Sequence, residues 1–266
     1  MSVGLTERAA NGVRTAWLAE GRVFDLCLDE PKGNVLSTEM MTAIRAALHE
    51  AEKRTDLHMV LLRAAGNHFS FGASVEEHRR DQAAAMLASF HQLIREVATF
   101  PVPVVALVQG RCLGGAFELV LACHEVLASD NAVFACPEIK LGVFPPVLAA
   151  IGPTRLGAAW TERLLLTGGD LSAAQAQALG WVGGALSLEE PLVEQGLAWH
   201  QAHLAGLSAQ ALRQGVKASR RGMRTQLGEV LDDLETQYVR EVVESHDGNE
   251  GIEAFIARRK PRWTDA

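Results

Sequence analysis

The chain has 266 residues, 48% hydrophobic and 21% charged, which is enough apolar material for one large domain with a sizeable core. Its net charge of −7, without a basic stripe, argues against a nucleic-acid partner, and no apolar run approaches the roughly 20 residues of a membrane span. The opening MSVGLTERAANGVR lacks an apolar h-region, unlike a signal peptide, and Cys27, Cys112, Cys123 and Cys136 form no CxxC pair, as expected of buried reduced thiols in a cytoplasmic protein.

Residues 22–28 alternate as a strand, with Phe24, Leu26 and Leu28 on one side. A loop, DEPKGNVLS, runs to Ser37. Ser37 or Thr38 can then cap a helix whose apolar face is Met40, Met41, Ile44, Leu48 and Ala51. Residues 59–62 read as a short buried strand, and a glycine-bearing loop spans 66–73. Residues 81–99 are helical by period, through Met86, Leu87, Phe90, Leu93, Ile94 and Val97, until Pro101 and Pro103 break the pattern. The continuous apolar run at 104–108 predicts a strand covered on both faces. Gly114-Gly115 opens an apolar helix to about Ala122, and two short strands follow at 126–128 and 133–135.

After Pro137 short helices dominate, one capped by Ser172 and stopped by Gly180. From about Glu189 only helices are expected, including a long amphipathic one marked by Leu227, Val230, Leu231, Leu234 and Tyr238. Alternating strands and helices followed by helices alone predict an α/β core at 1–190 and a C-terminal helical region at 191–266.

Three constellations could carry chemistry. Gly114 and Gly115 stand where a buried strand turns into a helix, a place where unpaired N–H groups and the helix dipole favour an anion, and Glu118 lies within the first turn. Alternatively, the glycines serve packing and Glu118 complements the dipole. Phe69-Ser70-Phe71-Gly72-Ala73 is either an ordinary turn or a loop with backbone N–H groups free for a ligand. Glu138, among apolar neighbours, is either a surface residue or a carboxylate held in a pocket. The nine histidines show no metal-ligand spacing and are expected mostly in solvent, with His68 and His78 flanking the glycine loop. A phosphate site at Gly114-Gly115 lacks the GxGxxG pattern and the P-loop lysine, and no GxSxG elbow is present.

Together these segments, above all VPVVALVQGRCLGGAFELVLACHEVLASDNAVFACPEIKLGVFP at 102–146, resemble the crotonase (enoyl-CoA hydratase/isomerase) superfamily along nearly the whole chain. The resemblance implies a spiral of ββα units with a C-terminal helical appendage, assembled as homotrimers or homohexamers. It implies an acyl-CoA thioester substrate, no metal, and no cofactor apart from the coenzyme A of the substrate. Residue by residue, the thioester oxygen would face the backbone N–H groups of Ala73 and Gly115, an oxyanion hole of the kind that stabilises developing charge. Glu118 and Glu138 match the two glutamates of the hydratases, with Glu118 as the water-activating base and Glu138 as the proton donor. Coenzyme A would lie along Lys32, Gly33 and Val35 and along Phe71 and Gly72. Lys260, in FIARRK, would approach its nucleotide, although a solvated helix end explains Arg258, Arg259 and Lys260 equally well.

Two departures from the family pattern stand out. Ser74 replaces the common aspartate, and Phe144-Pro145-Pro146-Val147-Leu148 replaces a glycine-rich PxxGG segment that helps wall the acyl pocket. Proline there should stiffen and reshape that wall. FSFGASVEEH at 69–78 with GVFPP at 142–146 is similar to the branch that hydrates cyclohexa-1,5-dienecarbonyl-CoA. The expectation is therefore a hydratase of an α,β-unsaturated acyl-CoA, of that cyclic dienoyl kind. The competing expectations are an enoyl-CoA isomerase, a ring-opening hydrolase, and a non-catalytic acyl-CoA binding protein on the same fold.

Overall fold

The computed structural model describes residues 5–31 and 33–266, with the backbone alone for 5–8. The chain folds as α/β. Its strands are β1 (Leu5–Ala10), β2 (Val13–Leu18), β3 (Val23–Leu28), β4 (Met59–Ala64), β5 (Val104–Val108), β6 (Arg111–Leu113), β7 (Glu125–Ser129), β8 (Val133–Ala135), β9 (Asp170–Ser172) and β10 (Gly184–Leu186). Its helices are α1 (Thr38–Glu52), α2 (Ala83–Ala98), α3 (Gly115–Ala122), α4 (Pro146–Arg155), α5 (Ala158–Thr167), α6 (Ala173–Ala178), α7 (Leu192–His203), α8 (Ala209–Ser219), α9 (Arg221–Thr225), α10 (Leu231–Gln237) and α11 (His246–Ile256). A seven-stranded sheet has the order β1-β2-β3-β4-β5-β7-β10, and a three-stranded sheet has the order β6-β8-β9. Among the described residues no helix is long and apolar enough to cross a membrane.

The period-2 alternation of strands explains the layering. Phe24, Leu26, Val60, Leu62, Val104 and Ala106 face the core formed with α1 and α2. Their sequence neighbours Val23, Met59, Leu61, Val105 and Leu107 face a second core closed by Leu192, Val193 and Leu197 of α7 and Leu212 of α8. Both faces of the parallel region are thus covered, as the apolar run at 104–108 implies. Ser37 is the cap of α1, its hydroxyl accepting from the Met40 N–H at 3.3 Å. Ser172 forms a reciprocal capping box with Gln175 at the start of α6.

Two expectations are corrected, and one element is added. The β1–β2 hairpin was not foreseen, although Asn11-Gly12 at its turn, with φ of 47° and 75°, is a strong hairpin signal. The long C-terminal amphipathic helix is broken by π-helical turns at Gln226–Val230 and Tyr238–Val242, which expose Val230 while burying Leu227, Leu231 and Tyr238. The histidines are less solvated than expected: His58, His91 and His200 are buried.

The parallel sheet contains one enclosed ion pair. Arg63 of β4 donates to both carboxylate oxygens of Asp25 of β3, at 2.8 and 2.7 Å, and Asp25 is buried. Removing one partner leaves the other charge enclosed and unpaired. Asp25→Ala is therefore expected to cost about 3–5 kcal/mol in urea unfolding, and Asp25→Ala with Arg63→Met to recover much of it.

Candidate active site

Strand β6 passes directly into α3, and the link is Gly114, with φ 52° and ψ −130°, a conformation that only glycine adopts readily. A Cβ at Gly114 would lie 2.6 Å from Oε1 of Glu138, so the missing side chain also makes room for that carboxyl. Helix α3 is buried along its whole length, which holds Glu118, itself 3% exposed, without freedom to swing into solvent. Glu138 follows Pro137 in the short 3-10 turn Pro137–Leu141 after β8. The residue is partly exposed, yet its Oε2 is fully enclosed and has no hydrogen-bond partner among the described residues.

Glu118 is held differently. The N-terminus of α4 begins at Pro146, whose missing N–H would be unpaired there in any case. The next two amides are free to reach an acceptor. Leu148 N–H donates to Glu118 Oε1 at 2.9 Å, and the Val147 N–H adds a second bond. The replaced wall segment Phe144–Leu148 is thus also the cradle of one carboxylate.

The loop 71–73 completes the site. Gly72, at φ 94°, packs so closely that a Cβ would lie 2.6 Å from the Leu113 carbonyl and 3.4 Å from the Gly115 nitrogen. Ala73 and Gly115 are neighbours, and neither N–H donates a backbone hydrogen bond among the described residues. Asn34 ties the loops together. Its Oδ1 accepts from Glu30 N–H at 2.8 Å, its Nδ2 donates to the carbonyls of Ala65 and Phe69 at 3.1 and 3.0 Å, and its own carbonyl accepts from Ser70 Oγ at 2.6 Å.

Phe71, Gly72, Ala73, Gly115, Glu118 and Glu138, all expected at the site, line one cavity of about 80 Å³. One water needs roughly 10–15 Å³, so the cavity that the two carboxyls line has room for water. Gly33 adjoins the cavity loop, its carbonyl accepting from Phe71 N–H at 3.0 Å. Val35 lies on the same segment, next to the Leu36–Ala73 bridge. Lys32 lies outside the described residues. Lys260 does not join the cavity: it is exposed, in a surface depression with Arg259 and Glu250. Ser74 turns its carbonyl to His78 Nδ1 at 2.8 Å. The remaining walls are apolar, from Met86, Leu87 and Phe90 of α2 to Phe144, Pro145 and Pro146, with Tyr238 and Ile252 closing the far side. His78 and Tyr238 are polar members that the sequence did not single out for chemistry. A larger depression of about 730 Å³ between α8, α9 and α4 has no lining carboxylate, and its Arg155 and Arg220 donate to the carbonyls of Leu121 and Cys123.

The electrostatics separate the two acids. Burial pushes the Glu118 carboxyl up to about 7, and the Leu148 and Val147 amides oppose the shift. Burial and then the charge of Glu118 push Glu138 up to about 8. Both carboxyls are thus raised, with the two α4 amides favouring the ionised form of Glu118.

The Enoyl-CoA hydratase/isomerase family model matches residues 19–266. A cyclohexa-1,5-dienecarbonyl-CoA hydratase of Thauera aromatica is 40% identical over 248 residues, 93% of this chain and 95% of that protein. A probable enoyl-CoA hydratase of Mycobacterium tuberculosis is 30% identical over 246 residues, 91% of this chain and 95% of that protein. Among solved structures, an enoyl-CoA hydratase from Mycobacterium avium subsp. paratuberculosis superposes with a TM-score of 0.83 at 28% identity, covering 97% of this chain and 100% of that one.

A raised carboxyl pKa means that the folded state keeps a proton which the unfolded chain has already released. The corresponding stability is present below the ordinary carboxylate range and is lost as pH rises through about 8. Glu138→Gln removes that loss. Its thermal midpoint is expected above the parent's at pH 9, with the gap closing toward pH 5.

Proposed function

The chain belongs to the enoyl-CoA hydratase/isomerase family, and from that premise we propose that it adds water to an α,β-unsaturated acyl-CoA thioester, with cyclohexa-1,5-diene-1-carbonyl-CoA as the substrate. The observation that carries the reading is the unequal setting of two enclosed carboxyls. Glu118 receives two amides from the α4 N-terminus, while Glu138 Oε2 has no partner among the described residues and the group lies in the field of Glu118. This favours Glu118 as the ionised base and Glu138 as the protonated acid.

In this mechanism the thioester oxygen accepts from the Ala73 and Gly115 N–H groups. Glu118 takes a proton from water as its oxygen attacks the alkene carbon. The electron pair moves toward the thioester oxygen as an enolate, which the two amides stabilise. Glu138 then delivers its proton to carbon, and the product carries one added water. The reverse reaction exchanges the roles. The coenzyme A of the substrate runs along Lys32, Gly33 and Val35 and along Phe71 and Gly72, with Lys260 at its nucleotide end, and no further cofactor enters. The cyclic acyl group is favoured by the relative of that name at 40% identity and by Pro145 and Pro146 in the cavity wall. A cytoplasmic homotrimer or homohexamer completes the reading.

The test is product analysis by mass spectrometry with cyclohexa-1,5-dienecarbonyl-CoA and, separately, crotonyl-CoA. The expected result is gain of one water on the cyclic diene, lowered roughly 10²- to 10⁴-fold in both Glu118→Gln and Glu138→Gln. Hydration of crotonyl-CoA alone would replace the cyclic substrate by a straight-chain one. A shifted double bond at unchanged mass would make the protein an isomerase, and a ring-opened product a hydrolase. Thioester binding without turnover would make it a binding protein.

The pH profile follows from the same assignment. Activity in the hydration direction needs one carboxyl ionised and the other protonated, so kcat/KM should trace a bell whose two limbs belong to the coupled pair and lie above the ordinary carboxylate range. A profile flat from pH 6 to 9 would contradict the assignment.

A further inference from the structure

Besides Glu118 and Glu138, the cavity has only two other polar side chains among the described residues, His78 and Tyr238. Their hydrogen-bonding capacities differ. His78 Nδ1 lies 2.8 Å from the Ser74 carbonyl, which can only accept, so this nitrogen carries the proton. Burial lowers the His78 pKa and favours the neutral ring, leaving Nε2 as an acceptor. Tyr238 is the only tyrosine in the chain. It is 2% exposed and opens the π-helical turn Tyr238–Val242, in which Val243 N–H reaches back to the Tyr238 carbonyl at 3.0 Å. Such turns recur at functional sites because they shift side-chain register within a helix. The ring packs against Phe144 of the cavity wall at 5.4 Å. No group among the described residues is hydrogen-bonded to its phenol.

Water attacking between two carboxyls needs more than a base. It donates one proton to Glu118 and directs one lone pair at carbon, so a donor to its second lone pair would fix its orientation. Glu138 reserves its proton for carbon, and His78 has committed its own. We propose that the phenol O–H of Tyr238 supplies this hydrogen bond, positioning the water, and in the reverse direction the product hydroxyl, between Glu118 and Glu138. This rests on the hydratase reading above. Burial, and then the charges of Glu138 and Glu118, raise the Tyr238 pKa, so the phenol remains a donor across the working pH range. The titratable groups lining the cavity with it are His78, Glu118 and Glu138.

Tyr238→Phe keeps the ring against Phe144 and removes only the hydroxyl, so its thermal midpoint should stay near the parent's. The expected result is a loss in kcat of roughly 10- to 100-fold, with KM changed by less than about twofold, because the thioester carbonyl is held elsewhere. A rise in KM at full kcat would assign the ring to substrate packing and overturn the proposal, as would an unchanged kcat. A second readout does not depend on turnover. With 13C-labelled tyrosine, the single ring resonance should move between pH 6 and 9 as the carboxyls titrate, and that movement should shrink in Glu138→Gln. A resonance that ignores the titration would also overturn the proposal. If the parent hydrates no thioester, the hydratase reading fails while the resonance still decides whether the phenol senses the carboxyl pair.

Discussion

Two carboxyl groups enclosed in one apolar cavity cannot both ionise without large cost, because each loses its hydration and each raises the energy of the other's charged form. The fold resolves this by giving the pair unequal surroundings. Glu118 meets the N-terminus of α4, where unpaired amides and the helix dipole stabilise a negative charge. Glu138 meets a positive-φ glycine that leaves it space and offers it no donor at Oε2. In the proposed mechanism this asymmetry leaves the proton on Glu138. Much of the surrounding architecture serves to keep that asymmetry in position: α3 is buried on all sides, and Pro146 starts α4 at the point from which Val147 and Leu148 face the carboxylate.

The donors that face a thioester in the proposed mechanism are backbone amides, and this explains the loop construction. An amide is positioned by the path of its chain, so the side chains that matter are those fixing the path. Asn34 spans three loop segments with hydrogen bonds at both ends of its amide, at a positive φ that asparagine tolerates better than most residues. Gly72 lets the loop approach β6 closely enough to set Ala73 beside Gly115. Neither residue needs to touch a substrate for its substitution to disturb the site.

The parts of the fold encoded by short-range pattern were legible in the sequence. The 104–108 run gave a strand covered on both faces, Ser37 and Ser172 gave helix caps, and Gly114-Gly115 gave a strand-to-helix turn. The hairpin at Asn11-Gly12 is encoded just as locally. The pairing of Glu118 with the α4 amides is different in kind: it joins residues 30 apart in the chain and involves backbone groups that carry no residue signature. Tyr238 illustrates the same limit. Helical spacing places it on an apolar face with Leu227 and Leu231, which is true of its ring, but only the π-helical turn and the contact with Phe144 bring it to the cavity. From its neighbours alone Glu138 reads as surface or pocket, and its pairing with Glu118 comes from the family resemblance, because its enclosure depends on β6, α3 and the C-terminal helices together.

The cavity thus has two sides of separate origin. The carboxyls and free amides come from loops and helix starts at the edge of the buried sheet, where displacement would disturb the core. The remaining wall comes from Phe144, Pro145 and Pro146 and from Tyr238 and Ile252 of the C-terminal helical region. In the proposed mechanism, substitution at Phe144 or Ile252 can alter the shape offered to an acyl group while leaving the carboxyls and amides in place. Helix α4 is the exception, since the segment that shapes the wall also supplies the amides to Glu118. Changes at Pro145 or Pro146 are therefore coupled to the protonation of the acid pair, and substrate shape and proton placement cannot be tuned independently at that corner of the site.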